Sequence, residues 1–345
     1  MKKTKLVAAV AASMAFAAPA FAGMTVAQDG DSKLSVGAKM FADFSAKKPL
    51  VLPGQVAPAA DTTGLNLTRF YFDVKYKKDA VWSVRFTTDT AAEALGKANN
   101  VFVKYAYIQG HFDDAAVLRL GMSHTPWIDY EQHLWKHRFV AKVTTDEFKF
   151  DDSADAGIGL KGKVADGMVN YWITATNGGG YGKAASATGS IDYNSRISVA
   201  PVKGLDLSAQ YRTGYRGKKA SAAVANPAAK EKLAQFMASY GTDEFRVGGN
   251  YISVKNFGNT VANDITATAL WGWAHIDNVG AFAKIENNKD KAVSPTKRQR
   301  FVVGADYFVS KGVTLSLAYI DDKTTKAGAN TAGNKQYGLF TQFTF

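Results

Sequence analysis

The 345-residue chain has no cysteine. Disulfide staples, c-type haem attachment and cysteine-ligated metals are therefore excluded, and a small disulfide-built secreted module is disfavoured. Beyond residue 22 the chain also lacks any run of about 18 or more apolar residues, so no helix is expected to cross a membrane. Proline numbers only eight. Outside the first 22 residues, Pro49, Pro53, Pro58, Pro126, Pro227 and Pro295 stand in polar links and Pro201 at a turn, so none removes a ladder donor from a strand. Of the five histidines, His133 and His137 are four apart, but no third ligand stands at a fixed spacing from them. They read as polar contacts in a loop, and neither a metal nor a cofactor is expected.

What is present begins with a basic head, Lys2, Lys3 and Lys5, an apolar run over residues 6–18, and the small-x-small sequence Ala20-Phe21-Ala22. This is the pattern of an export signal, too short to span a bilayer. Removing residues 1–22 leaves one domain, 23–345, and lowers the net charge from +12 to +9, because three lysines go and no acid does.

The dominant signal in that domain is period-two alternation. Leu34, Val36, Ala38, Met40, Ala42 and Phe44 share one face, with Ser35, Lys39 and Asp43 on the other. Phe70, Phe72, Val74 and Tyr76 alternate with Arg69, Tyr71, Asp73 and Lys75, and Trp82, Val84 and Phe86 with Ser83, Arg85 and Thr87. Leu205, Leu207, Ala209 and Tyr211 alternate with Asp206, Ser208, Gln210 and Arg212, and Val313, Leu315, Leu317 and Tyr319 with small residues. A soluble sandwich would turn the apolar face inward; a membrane barrel turns it outward and lines its interior with polar groups.

Connection lengths separate the two. Short turns near 78–79, 110–115, 166–167, 202–204, 241–243, 277–278 and 310–312 alternate with polar links near 47–63, 91–99, 124–154, 178–188, 217–229, 256–263, 289–297 and 323–334. Asp166-Gly167 carries a two-residue hairpin signal. Fifteen connections make sixteen strands, including one over residues 229–240 whose Ala-Lys-Glu-Lys-Leu-Ala favours helix on propensity alone. The expected fold is all-β: a 16-stranded antiparallel transmembrane β-barrel, wide enough to hold water. Tyr76, Trp82, Trp271, Trp273, Tyr307 and Tyr319 suit its interfacial girdles.

The last strand places Tyr337, Leu339, Thr341, Phe343 and Phe345 on one face and ends on an aromatic. It is similar to the C-terminal signal that the assembly machinery of outer-membrane barrels reads, which implies that machinery and outer-membrane lipid as partners.

One interval breaks the rhythm. The strand Leu118-Arg119-Leu120-Gly121-Met122 passes through Ser123-His124-Thr125-Pro126-Trp127 into about thirty residues rich in aromatics and charge. With Asn177-Gly178-Gly179-Gly180-Tyr181 and Val199-Ala200-Pro201, these residues resemble the phosphate-selective porin O/P family over about 70 residues. The resemblance implies a trimeric sixteen-stranded barrel with its third loop folded into the lumen. It also implies arginines at a constriction, reached along a lysine ladder.

The charges give their own reading. Alternation turns fourteen basic residues inward, among them Arg69, Arg85, Lys104, Arg119, Arg196 and Arg212, against eight acids. The third loop carries Lys136, Arg138, Lys142 and Lys149 against Asp129, Glu131, Asp146, Glu147, Asp151 and Asp152. A basic wall facing an acidic loop sets a transverse field across a narrow aqueous slot. Arg69, Arg85, Lys104, Arg119, Lys136, Arg138, Arg196, Arg212, Asp129 and Glu131 are therefore the candidate selectivity residues. The expected activity is passive diffusion of small hydrophilic solutes with an anion preference. Trp127, Tyr130, Trp135 and Phe139 would instead serve as a sugar slide or as wedges against the wall. A barrel-type enzyme is disfavoured because Ser123 and His124 are adjacent on a strand and point to opposite faces. A structural or adhesive barrel would carry fewer inward arginines. Nucleic-acid binding is not needed, since the basic excess is spread along strands.

Overall fold

The computed structural model describes residues 23–51, 60–90, 101–182, 189–218, 229–291 and 295–345. The export-signal residues, Pro53, Pro58, Pro227 and the link at 91–99 lie outside the described residues.

A short strand β1 (Met24–Asp29) precedes sixteen longer ones: β2 (Ser32–Pro49), β3 (Thr62–Lys77), β4 (Trp82–Thr90), β5 (Val101–Asp113), β6 (Ala116–His124), β7 (Ala154–Val164), β8 (Val169–Thr176) and β9 (Asp192–Val199). There follow β10 (Leu205–Gly214), β11 (Glu231–Gly241), β12 (Phe245–Lys255), β13 (Ile265–Ile276), β14 (Val279–Asp290), β15 (Thr296–Ser310), β16 (Val313–Lys326) and β17 (Ala329–Thr344). Each of β2 to β17 pairs antiparallel with its neighbours in sequence, and β17 pairs back onto β2, which closes a 16-stranded barrel. Strand β1 adds no seventeenth position. It pairs with the start of β2 where β17 stops, and Phe345 seals the joint, with its N–H 3.1 Å from the Ala38 carbonyl and its carbonyl 3.3 Å from the Ala38 N–H.

Alternation sorts the two faces as a membrane barrel requires. Leu65, Leu270 and Leu317 are 77%, 65% and 67% exposed, whereas the inward Asp73, Thr87, Asp89, Gln210 and Arg212 are buried. A soluble sandwich would bury those leucines. Strand β11 forms despite its helical propensity, because β10 and β12 supply ladders on both sides and Leu233, Gln235 and Met237 all turn inward.

Several expectations are corrected. The polar link at 323–334 is mostly strand: β16 and β17 run on to a tight turn at Ala327 and Gly328, both at positive φ. Pro49 ends β2 opposite Asn334 instead of lying in a loop, a position that strand ends tolerate. The Asp166-Gly167 hairpin is wider than two residues, since Val164 pairs with Val169 across Ala165–Met168. Trp271 and Trp273 are not girdle residues; they face the interior and are 2% and 6% exposed. The interior is also not polar all round. Leu233, Met237, Ile252, Val254, Ile265, Trp271, Trp273, Phe282, Val302, Ile320 and Phe340 make an apolar inner arc.

Candidate functional site

The apolar arc exists because the segment after β6 covers it. Pro126 has no N–H to continue a ladder, and the chain turns into α1 (Ile128–Trp135), with Asp129 and Glu131 in its first turn where the helix dipole favours acids. Lys136, in the left-handed region at φ 62°, ends the helix. A second single-turn helix, α2, spans Thr144–Glu147.

Aromatic side chains fasten this segment to the inward residues of β13 and β14. Trp135 is fully buried, edge-on to Trp271 and Phe282 with ring centres 6.0 Å away in each case. Its own indole donates to the Ala141 carbonyl at 2.8 Å, and Trp273 donates to the Leu134 carbonyl at 2.8 Å. Phe148 and Phe150 bury against Leu233, Ile252, Val254 and Ile265. Polar ties reach further strands: His137 Nε2 lies 2.7 Å from Asp306 Oδ2, Thr144 donates to Glu286 at 2.7 Å, and Thr145 to Gln235 at 2.7 Å. Lys284 donates to the Lys142 carbonyl at 2.7 Å. The paired loop acids are held by wall arginines, Glu147 by Arg298 and Arg300, Asp151 by Arg212, and Asp152 by Arg216.

Glu131 is buried on the helix and accepts from the Trp127 indole at 2.6 Å, while its other oxygen has no hydrogen bond among the described residues. Burial pushes its carboxyl up to about 7, against the pull of Lys284. Asp129 behaves oppositely. Burial disfavours its charge, yet His124, His133, Arg85 and Arg119 outweigh that and hold it well below the usual carboxylate range.

Across from the docked segment, β3 to β8 present a different surface. Arg69 pairs with Asp89 at 2.8 Å, and Arg85 and Lys75 share Asp73 at 2.6 and 3.2 Å. Cations on this surface also lie on rings. Arg85 lies over Tyr105, Arg119 over Tyr107 and Trp172, and Lys161 over Trp172. His124 stacks on Tyr105 at 3.8 Å and faces a guanidinium with each ring nitrogen, Arg119 at 3.3 Å and Arg85 at 3.5 Å.

No protein-family model matches the chain, and no curated protein does. Solved structures do. The outer membrane channel DcaP of Acinetobacter baumannii superposes with a TM-score of 0.65 at 12% identity, covering 94% of this chain and 100% of that one. OmpF of Salmonella typhi, in a complex with daunomycin, gives 0.66 at 13%, covering 93% and 100%. OmpT of Vibrio cholerae gives 0.62 at 11%, also over 93% and 100%, and an in-vitro folded form of it is a trimer. The fold is that of the outer-membrane porins. At such identities the likeness speaks for the fold alone.

On this porin fold the ten candidate residues divide into groups. Arg85, Arg119 and Asp129 meet around His124. Arg69, Lys104 and Arg138 gather near Asp89 and Asp146, with Lys104 bonded to Ser153 at 2.6 Å and its ammonium 3.1 Å from the centre of the Tyr181 ring. Arg196 lies over Tyr130, which bonds Asp206, and Arg212 is enclosed by Asp151, Asp192 and Glu231. Lys136 lies apart, over Trp273. Glu131, Lys104 and Arg212 are buried, so they brace the structure and do not face open space. Trp127, Trp135 and Phe139 are buried as wedges, which leaves no row of open rings for sugars. Ser123 donates to the His124 carbonyl and not to its imidazole, so the pair forms no nucleophile and base. His133 and His137 turn to different partners, Asp129 and Asp306.

Sequence reasoning missed His124, Tyr107, Trp172 and Gln109 as site residues. Tyr105, Tyr107 and Gln109 alternate with Ala106 and Ile108, a signal that was present. His124 gave none: it is five residues from Arg119, an odd number, and Gly121 at φ 123° interrupts the alternation between them.

Proposed function

We propose that the chain, after removal of residues 1–22, is an outer-membrane porin. It forms a water-filled channel for passive diffusion of small hydrophilic solutes, without catalysis, and prefers anions. The observation that carries this reading is the closed barrel whose apolar residues face out and whose β3 to β8 arc holds cations inside. In this reading the segment from α1 to Phe150 is a third loop folded into the lumen, where it narrows the channel against that arc.

Anion preference follows from which charges are already answered. Glu147, Asp151 and Asp152 are paired with wall arginines, while Arg119 and Lys161 form no ion pair among the described residues. A solute passing the arc meets positive potential that a narrow, weakly screened slot preserves. A homotrimer, as in the trimer form of OmpT, and recognition of Tyr337, Leu339, Phe343 and Phe345 by the barrel assembly machinery complete the reading.

Planar-bilayer recording tests it. Purified protein should give discrete conductance steps, and a potassium chloride gradient should give a reversal potential on the anion side. Absence of steps, or a preference for potassium, overturns the proposal. Deleting Phe345 should leave the chain exported but without heat-modifiable mobility in membranes.

A further inference from the structure

Arg119 is held by neutral groups and by rings. A guanidinium offers five N–H donors in one plane. Its Nε donates to Gln109 Oε1 at 2.8 Å and one N–H faces His124 Nδ1 at 3.3 Å. Three donors remain, and no described carboxylate is within ion-pair distance.

Two aromatic rings flank that plane. Tyr107 lies on one strand side with its ring centre 4.4 Å from the guanidinium carbon, and Trp172 on the other at 4.9 Å. Trp172 stands on β8, two strands away from Arg119 on β6, and reaches it across Gly159, the residue that pairs with Arg119 on β7. A Cβ at Gly159 would lie 2.9 Å from the Trp172 indole nitrogen, so only glycine leaves the path open. The indole N–H itself has no acceptor among the described residues. Lys161 stands over the same ring at 5.3 Å, likewise without an ion pair. The slot thus holds more donors than acceptors, with Asp129 3.8 Å from the far nitrogen of His124 and Asp79 on the rim of the adjoining recess. Arg119 and Tyr107 also line an open recess of about 480 Å3 that Arg85, Gln109 and Lys75 share.

We propose that this slot is a binding site for carboxylates, with Arg119 presenting its free edge to both oxygens of a passing organic acid. With a ring towards the strands on either side, the guanidinium is left its edge, which is planar. A carboxylate is planar too and matches the guanidinium fork with two parallel hydrogen bonds. A tetrahedral oxyanion carries oxygens out of that plane, towards the ring walls. Gln109 and His124 are positioning residues: they fix the rotation of the guanidinium about its long axis and so decide which edge points into the recess. The inference rests on the channel reading and narrows its solute class.

The test records single channels in potassium chloride with acetate, benzoate or sulfate added at constant ionic strength. Acetate and benzoate should reduce conductance in a saturable way, and sulfate less. R119Q should weaken the carboxylate effect by about tenfold, the loss of roughly one bidentate contact. R119K keeps the charge but not the fork and should weaken it too. G159V, which displaces Trp172 and leaves every charge in place, should reduce the preference for carboxylate over sulfate. Equal carboxylate block in the wild type and R119K, or stronger block by sulfate, overturns the inference. Calorimetric titration of benzoate into the detergent-solubilised barrel reads the site without conduction. Binding that depends on Arg119 but without channels would sink the channel reading alone, and channels without such binding would sink this inference alone.

Discussion

Strands β11 to β14 and strands β4 to β8 both turn side chains into the same barrel, yet the first set presents Leu233, Met237, Ile252, Trp271 and Phe282 and the second Arg85, Lys104, Arg119 and Lys161. Both sets are antiparallel ladders, unbroken from β11 to β14 and interrupted from β4 to β6 by shifts at Thr87/Thr88 and His111/Asp113 and by Gly121. What differs is the neighbour. The first arc faces protein, the segment carrying Trp135, Phe148 and Phe150, and its apolar groups are removed from water. Part of the second arc faces the recess, where Arg85 and Arg119 stay within reach of water or solute, while Lys104 is buried against Ser153 and Tyr181. An inner wall is therefore not polar because it is inner. It is polar where it stays wet, and the lesson applies within a single strand order.

Removing the partner should break the contrast most. Deleting Tyr130 to Thr144 should roughly double single-channel conductance and flatten selectivity. It should also lower the temperature at which the barrel loses its compact electrophoretic form, since Trp271, Trp273 and Phe282 would face water. Unchanged conductance would place the segment outside the channel.

A smaller lesion at the docked arc is Trp135→Ala. It empties a fully buried indole site and should cost about 3–5 kcal/mol of docking. Protease nicking within residues 136–147, with the barrel intact, would report it. If nicking does not rise, the polar ties to Asp306, Glu286 and Gln235 hold the segment by themselves.

At the charged arc, replacing Arg85 and Arg119 together by glutamine should move the reversal potential towards cations. A fall of about twofold in the anion-to-cation permeability ratio is expected, fading as salt rises. No shift would mean that Asp129 governs passage.

The smallest effect concerns Glu131. Its carboxyl, raised from 4.5 to about 7 by burial, keeps its proton in the docked state longer than when undocked. Docking is thus best supported below about pH 4.5, weakens as pH climbs towards 7, and above that carries the full cost of a buried charge. Glu131→Gln should make protease resistance of the segment equal at pH 5 and pH 8, while the wild type is more easily cut at pH 8.

Much of this was legible in the residues. The alternation in β2, β3, β4, β10 and β16 and the sequence of short turns and polar links led to sixteen strands, and the arrhythmic stretch after Met122 marked the segment that docks. The illegible parts share one cause. Trp271 and Trp273 look the same in sequence whether they face lipid or a buried tryptophan, because alternation reports a face and not its occupant. Glu131 reads as a lumen charge until its burial is seen.

The sequence by itself determined the strand count, the inward and outward sets apart from such residues as Trp271 and Trp273, and the closing aromatic row that ends at Phe345, because each depends on neighbours two residues away or on local turn chemistry. Only the tertiary structure decided that β1 continues the row of β17, that one arc of the wall is dry, and that Arg119 lies between Tyr107 and Trp172. Those facts depend on pairs brought together across strands, Gly159 making way for Trp172 and Gly121 turning His124 towards two arginines, and no periodicity along the chain encodes them.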